Sequence, residues 1–338
     1  MDKSDKKQMQ YALIREMLET TEVIRKFDPA CTERFVQPIR SKKGMLLTGE
    51  GSSRIFPAKR TMYASLKDKN RFPLYTDGST QSLEYQLDNL AVFGASNSGK
   101  TKEVVRLFKQ LKDHGHTAYF ALTANKNTPL EELALDTHVL QCGKEDAVAA
   151  TKSVIEQGLF YDSLYRNLTG KTMSGLNVLA DQVDEAMKVK VDPALVEKMK
   201  NAGMIYFAGR NTGVAEELTL KTNEITRKKS DFLEGTYAVH GIEEVMNPDE
   251  VVIVIDPFES EEEKFTQVLV EGVGCTVVAI SHRQTSFPTI IIPDGGEYKD
   301  YVELAAGWNV LVETGLALNI NLDKPTRARK VGNEYMGK

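Results

Sequence analysis

The sequence predicts an α/β protein built as two successive halves, each a parallel sheet covered by helices. Three observations predict it. Short, continuous apolar runs recur along the chain, as expected of strands buried on both faces of a parallel sheet. Segments of helical period fall between these runs. The alternation runs to about residue 170 and begins again near residue 204.

Residues 7–28 open the chain as an amphipathic helix, with Met9, Leu13, Ile14, Met17, Leu18 and Val23 near helical spacing. Such a helix packs on the body of the protein or on a partner subunit. Strands follow at Gly44–Thr48, Leu90–Phe93, Ala118–Leu122 and His138–Leu140. A helix fits Lys100–His114, with Val104, Val105, Leu107, Phe108 and Leu111 on one face, and others fit 148–168 and 178–201. The second set has strands at Met204–Ala208, Val251–Ile255, Cys275–Ile280 and Thr289–Ile292, with helices at 213–228, 260–271 and 299–319.

Composition narrows the function. At 338 residues and 41 % hydrophobic, the chain can bury a full core. A formal net charge of −5 disfavours a nucleic-acid surface, which needs a basic face. Cys31, Cys142 and Cys275 are far apart and show no metal-ligand spacing, so zinc is not expected, and none of the candidate site groups named below implies a metal or organic cofactor. A sparse, odd cysteine set suits a reducing cytoplasm. The charged start Met1-Asp2-Lys3-Ser4 lacks a signal-peptide pattern, and no apolar run reaches membrane-span length.

The sharpest motif is Gly94-Ala-Ser-Asn-Ser-Gly-Lys-Thr101, placed between a strand and a helix. Its lettering fits a nucleotide P-loop, and Val252–Asp256 has the look of a Walker B strand. That reading makes the protein a P-loop phosphotransferase. The same residues also suit one phosphate monoester, because Ser96, Asn97, Ser98 and Thr101 can join the backbone N–H groups at a helix start. A glycine turn with a serine cap is the plain structural alternative. Two features favour the monoester: a strand ending in Gly51-Ser52-Ser53 precedes the loop, and Asp256 lies in the second half.

Seven motifs in order then resemble the SIS (sugar isomerase) phosphosugar-binding family, over roughly residues 35–333. Gly49–Ser53 resembles the first family loop, and Ser96–Thr101 the Ser-Gln-Ser-Gly-Glu-Thr phosphate loop, with Asn97 and Lys100 as departures. Val148–Lys152 resembles Val-Ala-(Ser/Ala)-Thr-Lys, and Phe207–Arg210 the Phe-Leu-Gly-Arg strand end. Lys221–Ile225 resembles Lys-Leu-Lys-Glu-Ile, and His240-Gly241 follows where the family has His-Gly-Pro. Asp323-Lys324-Pro325 and Lys330-Val331 resemble the C-terminal tail.

The resemblance implies two SIS-type subdomains, each a Rossmann-like three-layer sandwich: an N-terminal helix over 1–34, a first subdomain over 35–175 carrying the phosphate loop, and a second over 176–338. It implies Glu224 as the base that moves a proton between adjacent carbons, His240 as the ring-opening acid/base, Lys330 near the carbonyl end, and Lys221 beside the base. By residue type alone, Glu224 and Lys221 are also an ordinary helical ion pair. Ser53, Ser96, Asn97, Ser98, Thr101, Val148 and Thr151 are the expected substrate contacts. The implied protein is a cytoplasmic homodimer, with His240 entering the neighbouring subunit's site. Its implied activity is aldose–ketose isomerisation of an amino-sugar phosphate with loss of the amine. Cleavage of a phosphorylated fructose–amino-acid adduct and non-catalytic sugar-phosphate sensing stand as alternatives.

Overall fold

The computed structural model describes residues 1–327, 334 and 335. Among the described residues, ten strands form two five-stranded, all-parallel sheets. The first holds β1 (Gly44–Gly49), β2 (Leu74–Gly78), β3 (Leu90–Ser96), β4 (Tyr119–Thr123) and β5 (Asp136–Val139), in the order β2-β1-β3-β4-β5. The second holds β6 (Met204–Gly209), β7 (Lys229–Glu234), β8 (Val251–Ile255), β9 (Thr276–Ser281) and β10 (Thr289–Ile291), in the order β10-β9-β8-β6-β7. Read from its own first strand, each sheet has the same topology, as two copies of one α/β plan require.

The chain forms two compact units, one around each sheet. One comprises Glu22–Glu145, Ala150–Leu176 and residues 334–335; the other comprises Met1–Thr21, Asp146–Ala149 and residues 177–327. In the first, Phe35 meets Phe93, Phe120 and Phe160 edge to face, and Phe93 meets Phe160 the same way, with ring centroids 5.2 to 5.7 Å apart. In the second, the helix Lys299–Ala317 buries nearly its whole length, including Trp308. A helix buried on all sides has no solvent face, which explains its weak amphipathic pattern.

Several element boundaries differ from the sequence expectation. The N-terminal helix is Ala12–Lys26, five residues shorter at its start than the periodicity suggests, and its first N–H groups donate to Asp323. The single helix expected over 178–201 is two, Leu176–Lys188 and Pro193–Asn201, with Asp192 capping the second. Proline at the first helical position starts a new helix and cannot extend the old one. The segment expected as a helix over 260–271 is one α-turn, Glu262–Phe265, followed by a wider π-type coil, Thr266–Val273. Strands β2 and β7 and the helix Ile55–Leu66 were not expected at all. Among the described residues, no helix is long and apolar enough to cross a membrane, and no His/Cys/Asp/Glu cluster could hold a metal ion.

Candidate active site

In the first sheet, the chain leaves β1 toward β2 on one side and β3 toward β4 on the other. The carboxyl ends of β1 and β3 are therefore the topological switch point, where open α/β sheets bind ligands. The loops there are Gly49–Ser53 and Ser96–Thr101. Gly49 lies between them: a Cβ on it would sit 2.8 Å from the Ala95 carbonyl oxygen and 3.2 Å from that of Ser53.

Ser96 is buried at the end of β3, and its Oγ lies 2.7 Å from Thr101 Oγ1 and 3.5 Å from Ser98 Oγ. Ser98 Oγ also accepts the Lys100 N–H at 3.1 Å. Gly99 makes this turn possible. Its φ is +64°, and a Cβ there would lie 2.3 Å from Thr128 Oγ1. The helix Lys102–Asp113 starts immediately after, and the Thr101 side chain makes no capping bond to it. Three hydroxyls thus gather just ahead of the first N–H groups of a helix, an arrangement suited to an anion.

Asn97 is used differently. Its Nδ2 donates to Ser153 Oγ at 2.6 Å and to Glu145 Oε2 at 3.2 Å, and its Oδ1 accepts from Gln157 Nε2 at 3.3 Å. Thr151 is fully buried in this same network and donates its N–H to Glu145 Oε1 at 2.7 Å. The structure therefore brings Ser53, Ser96, Asn97, Ser98, Thr101 and Thr151 into one compact unit. Lys100 is exposed, and its carbonyl accepts the Tyr335 N–H at 2.7 Å.

Asp256 does not behave as a Walker B carboxylate. It belongs to the other unit, where its Oδ2 accepts from Arg210 at 2.9 Å and pairs with Lys299. Burial pushes its carboxyl up, but these two cations outweigh burial and hold it below the usual value.

Lys221, Glu224, His240 and Val148 lie in that second unit. On the helix Val214–Ile225, the fully buried Lys221 ammonium is 2.8 Å from Glu224 Oε2 and 3.2 Å from Glu217 Oε1. Burial alone would lower the Lys221 pKa, yet the two carboxylates raise it above its ordinary value, so it stays charged. Glu217 is fully buried, whereas the Glu224 side chain keeps 20 % of its exposure. Of the two carboxylates, Glu224 is the one a solute can reach.

Glu217 and Glu145 are the residues that sequence reasoning missed. Glu217 had a usable signal, since it stands four residues before Lys221 on the same helix face. Glu145 had none, since its loop partner is 48 residues away.

His240 is exposed, and the Lys264 ammonium donates to its Nε2 at 3.2 Å. Val148 is half-buried, and its N–H donates to the Asp323 carbonyl at 3.1 Å. Lys330 lies outside the described residues.

Doubled parallel sheets, with a hydroxyl-lined loop at the first switch point, define a class of doubly built α/β folds. Within that class, residues 39–166 match the family model of the SIS domain. Residues 39–166 therefore carry an SIS domain, as the motifs within them predict.

Solved structures share the whole fold. The C-terminal domain of glucosamine-fructose-6-phosphate aminotransferase from Francisella tularensis is 14 % identical, with a TM-score of 0.76 over 95 % of this chain and 100 % of that one. Tagatose-6-phosphate ketose/aldose isomerase from Escherichia coli is 16 % identical, with a TM-score of 0.77 over 95 % and 98 %. Glucosamine-6-phosphate deaminase from Thermotoga maritima is 19 % identical, with a TM-score of 0.71 over 94 % and 98 %. No curated protein sequence matches the chain.

Proposed function

We propose that the protein is a phosphosugar isomerase that converts an amino-sugar phosphate to a ketose phosphate with release of ammonia, the glucosamine 6-phosphate to fructose 6-phosphate type of reaction. The phosphate is assigned to Ser96, Ser98, Thr101 and the adjoining N–H groups. The observation that carries the reading is the Lys221 ammonium shared by Glu217 and Glu224. Glu217 supplies the buried counter-charge, and Glu224 remains reachable as a base. Glu224 would take the proton from C2 of the open-chain amino sugar and return it to C1. The resulting C2 imine takes up water and releases ammonia, which balances the reaction. The fold of the aminotransferase domain and the deaminase supports this choice of substrate class.

The reading includes a homodimer in which His240 serves the partner's site. His240 is exposed, and its own segment also exposes Tyr237 (49 %) and Val245 (65 %), apolar side chains suited to cover by a second copy. Light scattering that finds only monomer removes this part of the reading.

The test is solvent proton exchange. Glu224→Gln should abolish deuterium incorporation into the sugar phosphate while leaving binding of the phosphate ester nearly intact. Unchanged exchange removes Glu224 from the mechanism. Assays with glucosamine 6-phosphate, a phosphorylated fructose–amino-acid adduct and ATP separate the deaminating isomerase from a deglycase and from a phosphotransferase.

A further inference from the structure

We infer that Glu145 is a positioning residue of the phosphate cradle: its buried carboxylate ties the loop Ser96–Thr101 to the start of the helix Lys152–Leu168. The inference rests on the reading of that loop as a phosphate site.

Glu145 is 7 % exposed, and its carboxylate accepts from both sides. From the helix side it takes the Thr151 N–H at 2.7 Å, the Ser153 hydroxyl at 2.6 Å and, more weakly, the Thr151 hydroxyl at 3.3 Å and the Ser153 N–H at 3.4 Å. From the loop side it takes Asn97 Nδ2 at 3.2 Å. Ser153 closes the triangle, since its Oγ accepts from the same Asn97 nitrogen at 2.6 Å. Gln157, one turn further along the helix, then donates to Asn97 Oδ1 at 3.3 Å. The Asn97 carbonyl is also taken, by Ala124 N–H at 3.1 Å and by Asn125 Nδ2 at 2.8 Å.

Asn97 is therefore committed to the scaffold by its side chain and its carbonyl. It stands between Ser96 and Ser98, so fixing Asn97 fixes the spacing of the two serine hydroxyls. This assigns Asn97 the task of holding the cradle's shape, with Glu145 as the group that anchors it. A carboxylate suits this task because bonds to a charged acceptor are roughly twice as strong as neutral ones, and they hold the loop in shape before the anion arrives.

Electrostatics alone predicts the opposite effect on binding. Removing a negative charge near an anion site should tighten anion binding. The sign of the change in affinity therefore decides between a positioning role and a merely present charge. A third possibility, that Glu145 only caps the helix, predicts lower stability with unchanged affinity in the folded protein.

The experiment titrates the full chain with inorganic phosphate and with fructose 6-phosphate by calorimetry. It compares wild type, Glu145→Gln, Asn97→Ala and the double variant, and records melting temperatures beside them. Positioning predicts about tenfold weaker binding for each single variant, equivalent to about 1.4 kcal/mol. It also predicts that the double variant is no more than about threefold weaker again, because both changes cut one linkage. Glu145→Gln binding as tightly as wild type, or more tightly, overturns the inference while the cradle stands. Wild type that binds neither probe overturns the cradle reading and this inference with it. If Glu145→Gln does not fold, Ser153→Ala removes the hydroxyl shared by Glu145 and Asn97. Several-fold weaker binding then supports the linkage, and unchanged binding overturns it.

Discussion

Lys221→Met is the most informative perturbation of the second unit. Methionine keeps the length and apolar stem of the side chain and deletes only the ammonium. In the wild type that ammonium is fully buried and ion-paired to two carboxylates, at 2.8 Å and 3.2 Å. Glu224 is partly exposed and can turn to water, but Glu217 is fully buried. Removing one partner of a buried ion pair typically costs about 3–5 kcal/mol.

The pH dependence carries a definite sign. The Lys221 pKa is raised above its unfolded value of 10.5. Its stabilising effect is thus complete below 10.5 and is lost only as pH rises through the higher, folded value. The wild-type cluster therefore adds no slope near neutrality from Lys221. In the variant, Glu217 is pushed toward its neutral form by burial, so the folded protein binds an extra proton as pH falls. The deficit measured by urea unfolding should be about 3–5 kcal/mol near pH 8 and clearly smaller near pH 5. A loss below about 1 kcal/mol near pH 8, or one that does not change with pH, refutes the reasoning.

Three further outcomes follow from the first unit. Gly99→Ala forces a Cβ to 2.3 Å from Thr128 Oγ1 at a φ of +64°; it should cost about 1–3 kcal/mol and weaken phosphate binding in a calorimetric titration. Gly115→Ala also has a positive φ but nothing within 4 Å, so it should cost less and leave binding unchanged. His138, stacked 4.7 Å from Phe160 on β5, has its pKa pushed down from 6.5 to about 4 by burial and, secondarily, by Arg34. The unfolded chain takes up this proton first, so stability should fall as pH drops from 6.5 toward about 4. In urea unfolding, His138→Phe should remove up to about 1.4 kcal/mol per pH unit of that slope; an unchanged slope excludes His138 as its source.

The strands legible in the sequence are those covered on both faces. Leu90–Phe93, Val251–Ile255 and their like are continuous apolar runs because helices pack above and below them. The strands β2 and β7 escaped because each is an edge strand made mostly of polar or exposed residues, whereas the edge strands β5 and β10 keep short apolar runs, in His138-Val-Leu140 and Thr289–Ile292. Leu74-Tyr-Thr-Asp-Gly78 exposes Tyr75, and Lys229–Glu234 buries only Leu233 fully. Edge strands carry polar residues that discourage pairing with other chains, and that erases the apolar signal. The split at Asp192-Pro193 was readable in principle, since a capping aspartate before proline is a helix start.

The alternation of strands and helices in two rounds, and the glycine-bounded hydroxyl loop after a buried strand, are legible in the residues alone. These are local properties of period, turn chemistry and residue type, fixed within a dozen residues. The lettering left open whether that loop serves a nucleotide or a single phosphate. Tertiary structure bears on this through contacts with no sequence period: Asp256 is occupied by Arg210 and Lys299, and Asn97 by Glu145 and Ser153. It also made Lys221 a buried ammonium between two carboxylates. On a helix surface the same spacing is a solvated pair of little consequence; burial of the helix face, set by distant packing, removes the water that would screen it.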